Sequence, residues 1–148
     1  TGSDPAQVAH KASVIRRALA LHALDPADGI AMLAAVGGFE IGAMAGFILH
    51  ASRNRLAIML DGFPCCAAAL IARAIDPHAL DTAFFGHRSA EKAHGLMLHA
   101  LHAHPFLDLG MRLGEGTGAA LAMGLLDAAV KLYGEMATFS QARVSIGQ

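Results

Sequence analysis

The sequence has few charged residues, few cysteines and no long apolar run. Only 16% of its 148 residues are charged, and 11 Lys and Arg against 12 Asp and Glu give a net charge of -1. A chain without a basic field is not expected to bind nucleic acid. No uncharged apolar run reaches the roughly 18–20 residues of a membrane span. The run from Ile41 to Leu49 is too short, and His50 and Arg53 follow it, so no membrane span is expected.

Cysteine is equally scarce. The two cysteines, Cys65 and Cys66, are adjacent, and neighbouring cysteines rarely bridge each other, so no disulfide framework is expected. We interpret both as small buried apolar residues of a reducing compartment, and a reactive thiol is the less favoured alternative. Asp4, His10 and Lys11 interrupt the start of the chain, so we expect no signal peptide and a cytoplasmic location.

Apolar residues, in contrast, are abundant. They make up 55% of the sequence, and the mean hydropathy is +0.47. A chain of this length is one domain or a large part of one. We therefore expect the excess apolar surface to be buried against a partner subunit or against a part of the protein that this chain lacks.

Helix and strand signals alternate along the chain. Asp4-Pro5 and Asp25-Pro26 each place a capping side chain before a proline at the first helical position. Short apolar runs that end in polar residues are typical of buried parallel strands. The alternation predicts an α/β fold, with a parallel sheet and helices on its faces. The predicted helices are 5–22, 26–36, 41–53, 64–75, 90–104 and 117–138, the predicted strands are 56–60 and 82–85, and a loose tail is expected from residue 141.

Polar residues follow both predicted strands. Asp61-Gly62 ends the first strand, and His87-Arg88-Ser89 follows the second. Ligands of parallel sheets bind beyond the carboxyl ends of the strands, so Asp61 is a candidate functional residue. Ser89 is expected to begin the next helix, where free N–H groups favour an anion. Two strands are too few for a sheet that stands alone, so the chain is expected to be part of a larger α/β protein.

Residues 111–122, MRLGEGTGAALA, are the most informative segment. Gly114, Gly116 and Gly118 permit left-handed backbone and close approach to a ligand. Glu115 lies between two of these glycines, just before the last predicted helix, which suits a general base. The alternative, about equally weighted from this segment alone, is a glutamate that only interacts favourably with the helix dipole.

Two further features carry weaker signals. Four histidines, His94, His99, His102 and His104, fall on one predicted helix, but their spacing matches no standard zinc pattern. We therefore interpret them as solvated or helix-terminal histidines rather than metal ligands. Lys11 is a candidate phosphate ligand, although a lone lysine on a helix more often lies on a solvated face.

Taken together, the motifs resemble those of the nicotinate-nucleotide–dimethylbenzimidazole phosphoribosyltransferase family of cobalamin biosynthesis. Their order and spacing resemble the family over nearly the whole chain, and 112–121 is the most specific segment. The other segments that carry the resemblance are Lys11 with 14–18, then 36–41, 60–63 and 86–91.

The resemblance implies a fold and a reaction. Members of the family have a Rossmann-like parallel sheet and a small helical domain, and they form homodimers. They transfer the phosphoribosyl group of nicotinate mononucleotide to 5,6-dimethylbenzimidazole, which gives nicotinate and α-ribazole 5′-phosphate. The reaction requires no metal and no organic cofactor.

The resemblance also assigns roles to individual residues. Glu115 matches the catalytic glutamate of the family, and Lys11 and Ser89 match its phosphate-binding residues. Asp61-Gly62 falls on the nucleotide-site loop. Leu113 is expected to line the benzimidazole pocket, with Gly114 and Gly116 on the same substrate-binding loop.

The chain is about half as long as members of the family. It resembles their C-terminal half, and Thr1-Gly2 resembles the interior of a family sequence, so an N-terminal half is expected to be missing. Residues 1–110 are predicted to form a partial Rossmann-like nucleotide-binding domain. Residues 111–148 are predicted to supply the active-site loop and the C-terminal helix of the small helical domain. The alternative is an incomplete fragment that dimerises or binds nucleotide without turnover.

Overall fold

A β–α–β unit lies at the centre of the fold. In the computed structural model, which describes residues 4–143, strands β1 (Ile58–Leu60) and β2 (Ala83–Phe85) pair in parallel. Helix α4 (Phe63–Ile75) connects them. The described residues contain six helices and this two-stranded sheet, which confirms the predicted α/β class. The other helices are α1 (Pro5–His22), α2 (Gly29–Val36), α3 (Phe39–Arg53), α5 (Lys92–Leu101) and α6 (Thr117–Glu135).

The core is built around α4. Helix α4 contacts α2, α3 and α5, and its buried residues are Cys66, Ala68, Ala69, Ile71 and Ala72. Most of the buried apolar residues belong to this cluster. Small side chains on α4 let neighbouring backbones approach closely. A Cβ atom on Gly29 would lie 2.8 Å from the carbonyl oxygen of Ile71. Any residue other than glycine at this first position of α2 would therefore force the two helices apart.

Two helices begin later than predicted, because polar side chains first form separate turns. The Asp25 carboxylate accepts a hydrogen bond from Ala27 N–H, and Asp28 caps α2 instead by accepting from Ala31 N–H. Ser89 was predicted to cap α5. Its hydroxyl accepts from Glu91 N–H, and the helix begins at Lys92.

Helix ends also differ from the prediction. Helix α5 ends at Leu101 because His102 adopts a left-handed conformation with φ of 54°. Helix α6 ends at Glu135, where Met136 turns to extended backbone. The predicted loose tail begins in a hydrogen-bonded turn between Thr138 and Gln141. Residues 144–148 and Thr1-Gly2 lie outside the described residues.

Large apolar surfaces remain exposed on the terminal helices. Helix α1 buries none of its residues, and α6 buries only Gly118 and Ala122. Phe39 at the start of α3 is 99% exposed and Tyr133 on α6 is 94% exposed. Between residues 4 and 143, no helix is long and apolar enough to cross a membrane.

Candidate active site

A cavity of about 340 Å³ lies beyond the carboxyl ends of β1 and β2. The polar residues that follow the two strands meet there, as expected for a parallel sheet. Of the predicted site residues, four line this cavity: Asp61, Gly62, Ser89 and Gly114. The remaining lining residues are Phe63, Pro64, His87, Glu91 and Arg112.

Asp61 connects the end of β1 to the beginning of α6. Its Oδ1 accepts a hydrogen bond of 3.0 Å from the backbone N–H of Ala119, in the first turn of the helix. The N-cap position of α6 is Gly116, which has no side chain to accept such a bond. Asp61 therefore satisfies a helix N-terminal donor from a distant part of the chain.

The same carboxylate faces a buried imidazole. His87 Nε2 lies 3.5 Å from Asp61 Oδ1, and His87 is only 3% exposed. A Cβ atom on Gly118 would overlap the His87 ring, and one on Gly86 would meet the backbone of Ala119 at 3.0 Å. The first turn of α6 can approach the end of β2 because both glycines lack a side chain.

Glu115 lies on a loop of left-handed backbone directly before α6. Gly114, Glu115 and Gly116 have φ angles of 81°, 55° and 77°. A positive φ is uncommon for a residue other than glycine and concentrates at functional sites. The Glu115 side chain is exposed, and it lies beside the cavity-lining Gly114 rather than on the lining itself.

A buried hydrogen-bonded pair supports the loop that carries Ser89. His94 is fully buried, and its Nδ1 accepts a hydrogen bond of 2.9 Å from Ser89 N–H. On the other side of the ring, Nε2 lies 3.1 Å from the Sγ atom of Cys66. Burial lowers the pKa of His94, with a smaller contribution from His87. Burial also raises the pKa of the Cys66 thiol to about 12, so both groups are neutral at pH 7.

These contacts correct the interpretation of the four histidines. His99, His102 and His104 are exposed, as predicted, but His94 is buried and hydrogen-bonded. Within residues 4–143, no group of three or more histidine, cysteine or acidic residues could hold a metal ion. Cys66 is a buried apolar residue as interpreted, whereas Cys65 is only partly buried.

Besides Glu115, three predicted site residues do not line the cavity. Lys11 is exposed on α1, and Leu113 is 73% exposed beside the lining residues Arg112 and Gly114. Gly116 forms the N-cap position of α6. The structure thus brings together the loops that follow β1 and β2 with the loop before α6, and it leaves Lys11 on a separate exposed helix.

Three of the polar residues that line the cavity were not among the predicted site residues. His87 follows β2 directly, so its position at a strand end is a signal that could have identified it. Glu91 and Arg112 come to the cavity through tertiary contacts, one of which is a hydrogen bond from Ala90 N–H to the Met111 carbonyl oxygen. That pairing of distant loops has no local sequence signal.

Comparison with known proteins gives a consistent result. A family model described as phosphoribosyltransferase matches residues 1–144. The chain is 52% identical to the nicotinate-nucleotide–dimethylbenzimidazole phosphoribosyltransferase of Chlorobium chlorochromatii, over 98% of this chain and 41% of the relative. It is 54% identical to the protein of the same name from Desulforudis audaxviator, over the same shares. The crystal structure of CobT from Thermus thermophilus matches 99% of this chain with a TM-score of 0.88 and 44% identity.

The chain spans about two fifths of the length of the curated relatives that it matches, 41–42% in these comparisons. It likewise covers 44% of the Thermus thermophilus structure. The matched share is about two fifths and not half, and the prediction that the chain is the C-terminal half of such proteins was wrong.

Proposed function

Because the chain belongs to the nicotinate-nucleotide–dimethylbenzimidazole phosphoribosyltransferase family, we propose that it carries out phosphoribosyl transfer from nicotinate mononucleotide to 5,6-dimethylbenzimidazole. The products are nicotinate and α-ribazole 5′-phosphate, whose base becomes the lower ligand of cobalamin. The observation that carries the proposal is the left-handed loop at Glu115, which holds a carboxylate beside the cavity at the carboxyl ends of the strands.

In the proposed reaction, the bond between ribose C1 and the pyridinium nitrogen breaks, and its electron pair returns to that nitrogen. Nicotinate therefore leaves with a neutral ring and needs no acid catalyst. The unprotonated nitrogen of dimethylbenzimidazole attacks C1 and forms the new C–N bond. The ring becomes cationic as this bond forms, so the proton on its other nitrogen becomes acidic.

Glu115 takes that proton as the general base, a contribution typically worth about 10²–10⁴-fold in rate. The left-handed backbone on both sides of Glu115 fixes where the carboxylate leaves the chain. Leu113, which is largely exposed two residues earlier, is proposed to contact the flat benzimidazole ring. Gly114 and Gly116 leave this substrate-binding loop free of side chains that would obstruct the ring.

The phosphate end of the nucleotide is assigned to Ser89 and Lys11. Ser89 lines the cavity, and Lys11 projects from the exposed helix α1. Asp61 and Gly62 form the cavity wall that follows β1 and are proposed to contact the nucleotide. Holding the two substrates in the correct relative position lowers the activation barrier by several kcal/mol. Neither a metal nor an organic cofactor takes part in the proposed reaction.

The exposed apolar faces of α1 and α6 favour a homodimer or a further segment of the enzyme as their cover. The proposed division places residues 1–110 in a Rossmann-like nucleotide-binding domain. Residues 111–148 contribute the active-site loop and a helix of a small helical domain.

One observation favours a second candidate function. The chain spans only about two fifths of the length of its relatives. The second candidate is therefore an incomplete module that dimerises or binds nucleotide without turnover. In that case Glu115 belongs to a site that other residues must complete.

Product detection distinguishes the two candidates. The chain is incubated with nicotinate mononucleotide and 5,6-dimethylbenzimidazole, and α-ribazole 5′-phosphate is measured by mass spectrometry. Product from the unmodified chain but not from Glu115→Gln supports the transferase. Nucleotide binding without product in either protein supports the incomplete module, and product that is independent of Glu115 refutes its role as the base.

A further inference from the structure

The buried pair of His94 and Cys66 has no role in the reaction described above, although it lies directly beneath a cavity residue. His94 comes from α5 and Cys66 from α4, and both are fully buried. The His94 ring bridges Cys66 Sγ, 3.1 Å from Nε2, and Ser89 N–H, 2.9 Å from Nδ1. Because an unpaired buried polar group is costly, this arrangement constrains the loop after β2 as well as the core.

We propose that His94 is a positioning residue that turns the backbone N–H of Ser89 inward, so that the Ser89 hydroxyl alone is presented to an anionic ligand. The inference rests on the proposed function in assigning Ser89 to the phosphate end of the nucleotide. It concerns the means by which Ser89 is oriented, which neither the family resemblance nor the reaction specifies.

The hydrogen bonds identify the protonation state of the ring. Nδ1 accepts from Ser89 N–H, so it carries no proton, and the neutral ring therefore holds its proton on Nε2. Nε2–H then donates to Cys66 Sγ. The charged and titratable groups around the ring are Asp61, His87 and Arg88, and the His87 ring centroid is 6.2 Å away. A doubly protonated ring would direct an N–H at Ser89 N–H and break the contact.

The orientation determines what Ser89 offers to a ligand. Its N–H is committed to His94, and its Oγ accepts from Glu91 N–H at 3.3 Å. The hydroxyl proton remains available for donation to an acceptor oxygen in the cavity that Ser89 lines. Anion binding at this loop thus depends on the hydroxyl and not on the backbone N–H, unlike a helix N-terminus that binds through its amides.

Two substitutions separate the functions of the two ring nitrogens. In His94→Asn the side-chain carbonyl oxygen replaces Nδ1 as the acceptor for Ser89 N–H. In His94→Gln the amide group reaches toward Cys66 and leaves Ser89 N–H without an acceptor. Ser89→Ala removes the hydroxyl that the inference places at the ligand. Circular dichroism and thermal unfolding of each variant verify that it is folded.

Calorimetric titration with nicotinate mononucleotide is the first measurement. We expect Ser89→Ala and His94→Gln to bind about tenfold more weakly than the unmodified chain, and His94→Asn to bind within about twofold of it. Two outcomes would overturn the inference and leave the proposed function intact. In the first, His94→Asn and His94→Gln lose equal affinity for the nucleotide. In the second, Ser89→Ala loses affinity but His94→Gln does not.

Nuclear magnetic resonance of the unmodified chain supplies a measurement that is independent of ligand binding. The ¹⁵N signals of His94 should report a proton on Nε2 and none on Nδ1, and the Ser89 amide should be protected from solvent exchange. A proton on Nδ1 or an unprotected Ser89 amide would overturn the inference. If the unmodified chain does not bind the nucleotide, that result counts against the proposed function alone. The orientation of Ser89 by His94 is then decided by these spectra, which need no ligand.

Discussion

The Asp61 carboxylate accepts a hydrogen bond from the backbone N–H of Ala119, across a separation of 58 residues in the chain. One residue thereby ends the β1 segment and stabilises the beginning of α6. The loop that carries Glu115 lies immediately before that helix. This hydrogen bond therefore links the cavity wall to the helix that follows the proposed base.

Replacing Asp61 should destabilise the protein by removing this cap. Asp61→Ala is expected to lower the free energy of unfolding by about 1 kcal/mol, the typical loss for a helix cap. Asp61→Asn keeps an acceptor oxygen and should lose less. Urea unfolding followed by circular dichroism measures both values. Equal stability of the Ala variant and the unmodified chain would show that the contact with Ala119 contributes nothing.

Gly118 provides a sharper test of the packing between α6 and β2. Gly118→Ala places a methyl group on the His87 ring, and we expect a loss of about 3 kcal/mol through overpacking. Gly124, on the same helix, has nothing within 4 Å of an added Cβ atom. Gly124→Ala should therefore raise stability by about 0.5–1 kcal/mol through helix propensity. Similar effects at the two positions in chemical unfolding would contradict the close approach of α6 to His87.

Glu115 carries both a catalytic and a conformational prediction. In a chain that turns over, Glu115→Gln should lower kcat by about 10²–10⁴-fold and leave nucleotide affinity unchanged, because only the proton acceptor is lost. Glu115→Gly should be more stable than Glu115→Ala by about 1 kcal/mol, since glycine adopts a φ of 55° without strain. Steady-state kinetics and thermal unfolding measure the two effects, and an unchanged kcat in Glu115→Gln would remove the residue from the mechanism.

Acid should destabilise the fold through His94. Its pKa is lowered from 6.5 by burial and by His87, so the unfolded chain binds a proton more readily than the folded one. The stabilising contribution is complete above pH 6.5 and is lost as the pH falls from 6.5 through the lowered pKa of the folded state. Stability measured between pH 7.5 and pH 5 should decline less in His94→Asn, and parallel curves for the two proteins would contradict this effect.

The two cysteines should differ in reactivity. Cys66 is fully buried and burial raises its pKa to about 12, whereas Cys65 is only partly buried. A thiol reagent should therefore modify Cys65 in the native protein and reach Cys66 only after denaturation. Both cysteines lie in the tryptic peptide 56–73, so fragmentation of that peptide in the mass spectrometer gives the site, with Cys65→Ser as the control that should remain unmodified. The Cys66 contribution to stability should also fall as the pH rises from 9 toward 12.

Much of the fold could be predicted because its signals are local. The Asp4-Pro5 cap, the apolar run before Asp61 and the apolar run before Gly86 indicated α1 and both strands close to their observed positions. The predicted start of α2 was wrong because Asp25 and Asp28 are both good capping residues. The choice of Asp28 depends on the packing of Gly29 against Ile71 in α4.

The site was predicted less completely because its contacts are distant in sequence. Strand ends indicated Asp61 and Ser89, and the glycine pattern indicated Glu115. The burial of His94 could not be predicted from spacing, because it depends on Cys66 approaching from α4 and on Ser89 donating its N–H. His94 and the exposed His99 lie on the same helix, and tertiary packing distinguishes them.

The exposure of α1 has an entropic consequence for substrate binding. An 18-residue helix that buries none of its side chains receives little stabilisation from packing, and an isolated helix of that length is only modestly stable in water. If Lys11 holds the phosphate as proposed, the conformational entropy lost when α1 becomes ordered offsets part of the binding free energy that Lys11 contributes. Substitutions on the opposite face of α1 that raise its helix propensity would then tighten nucleotide binding without contacting the nucleotide.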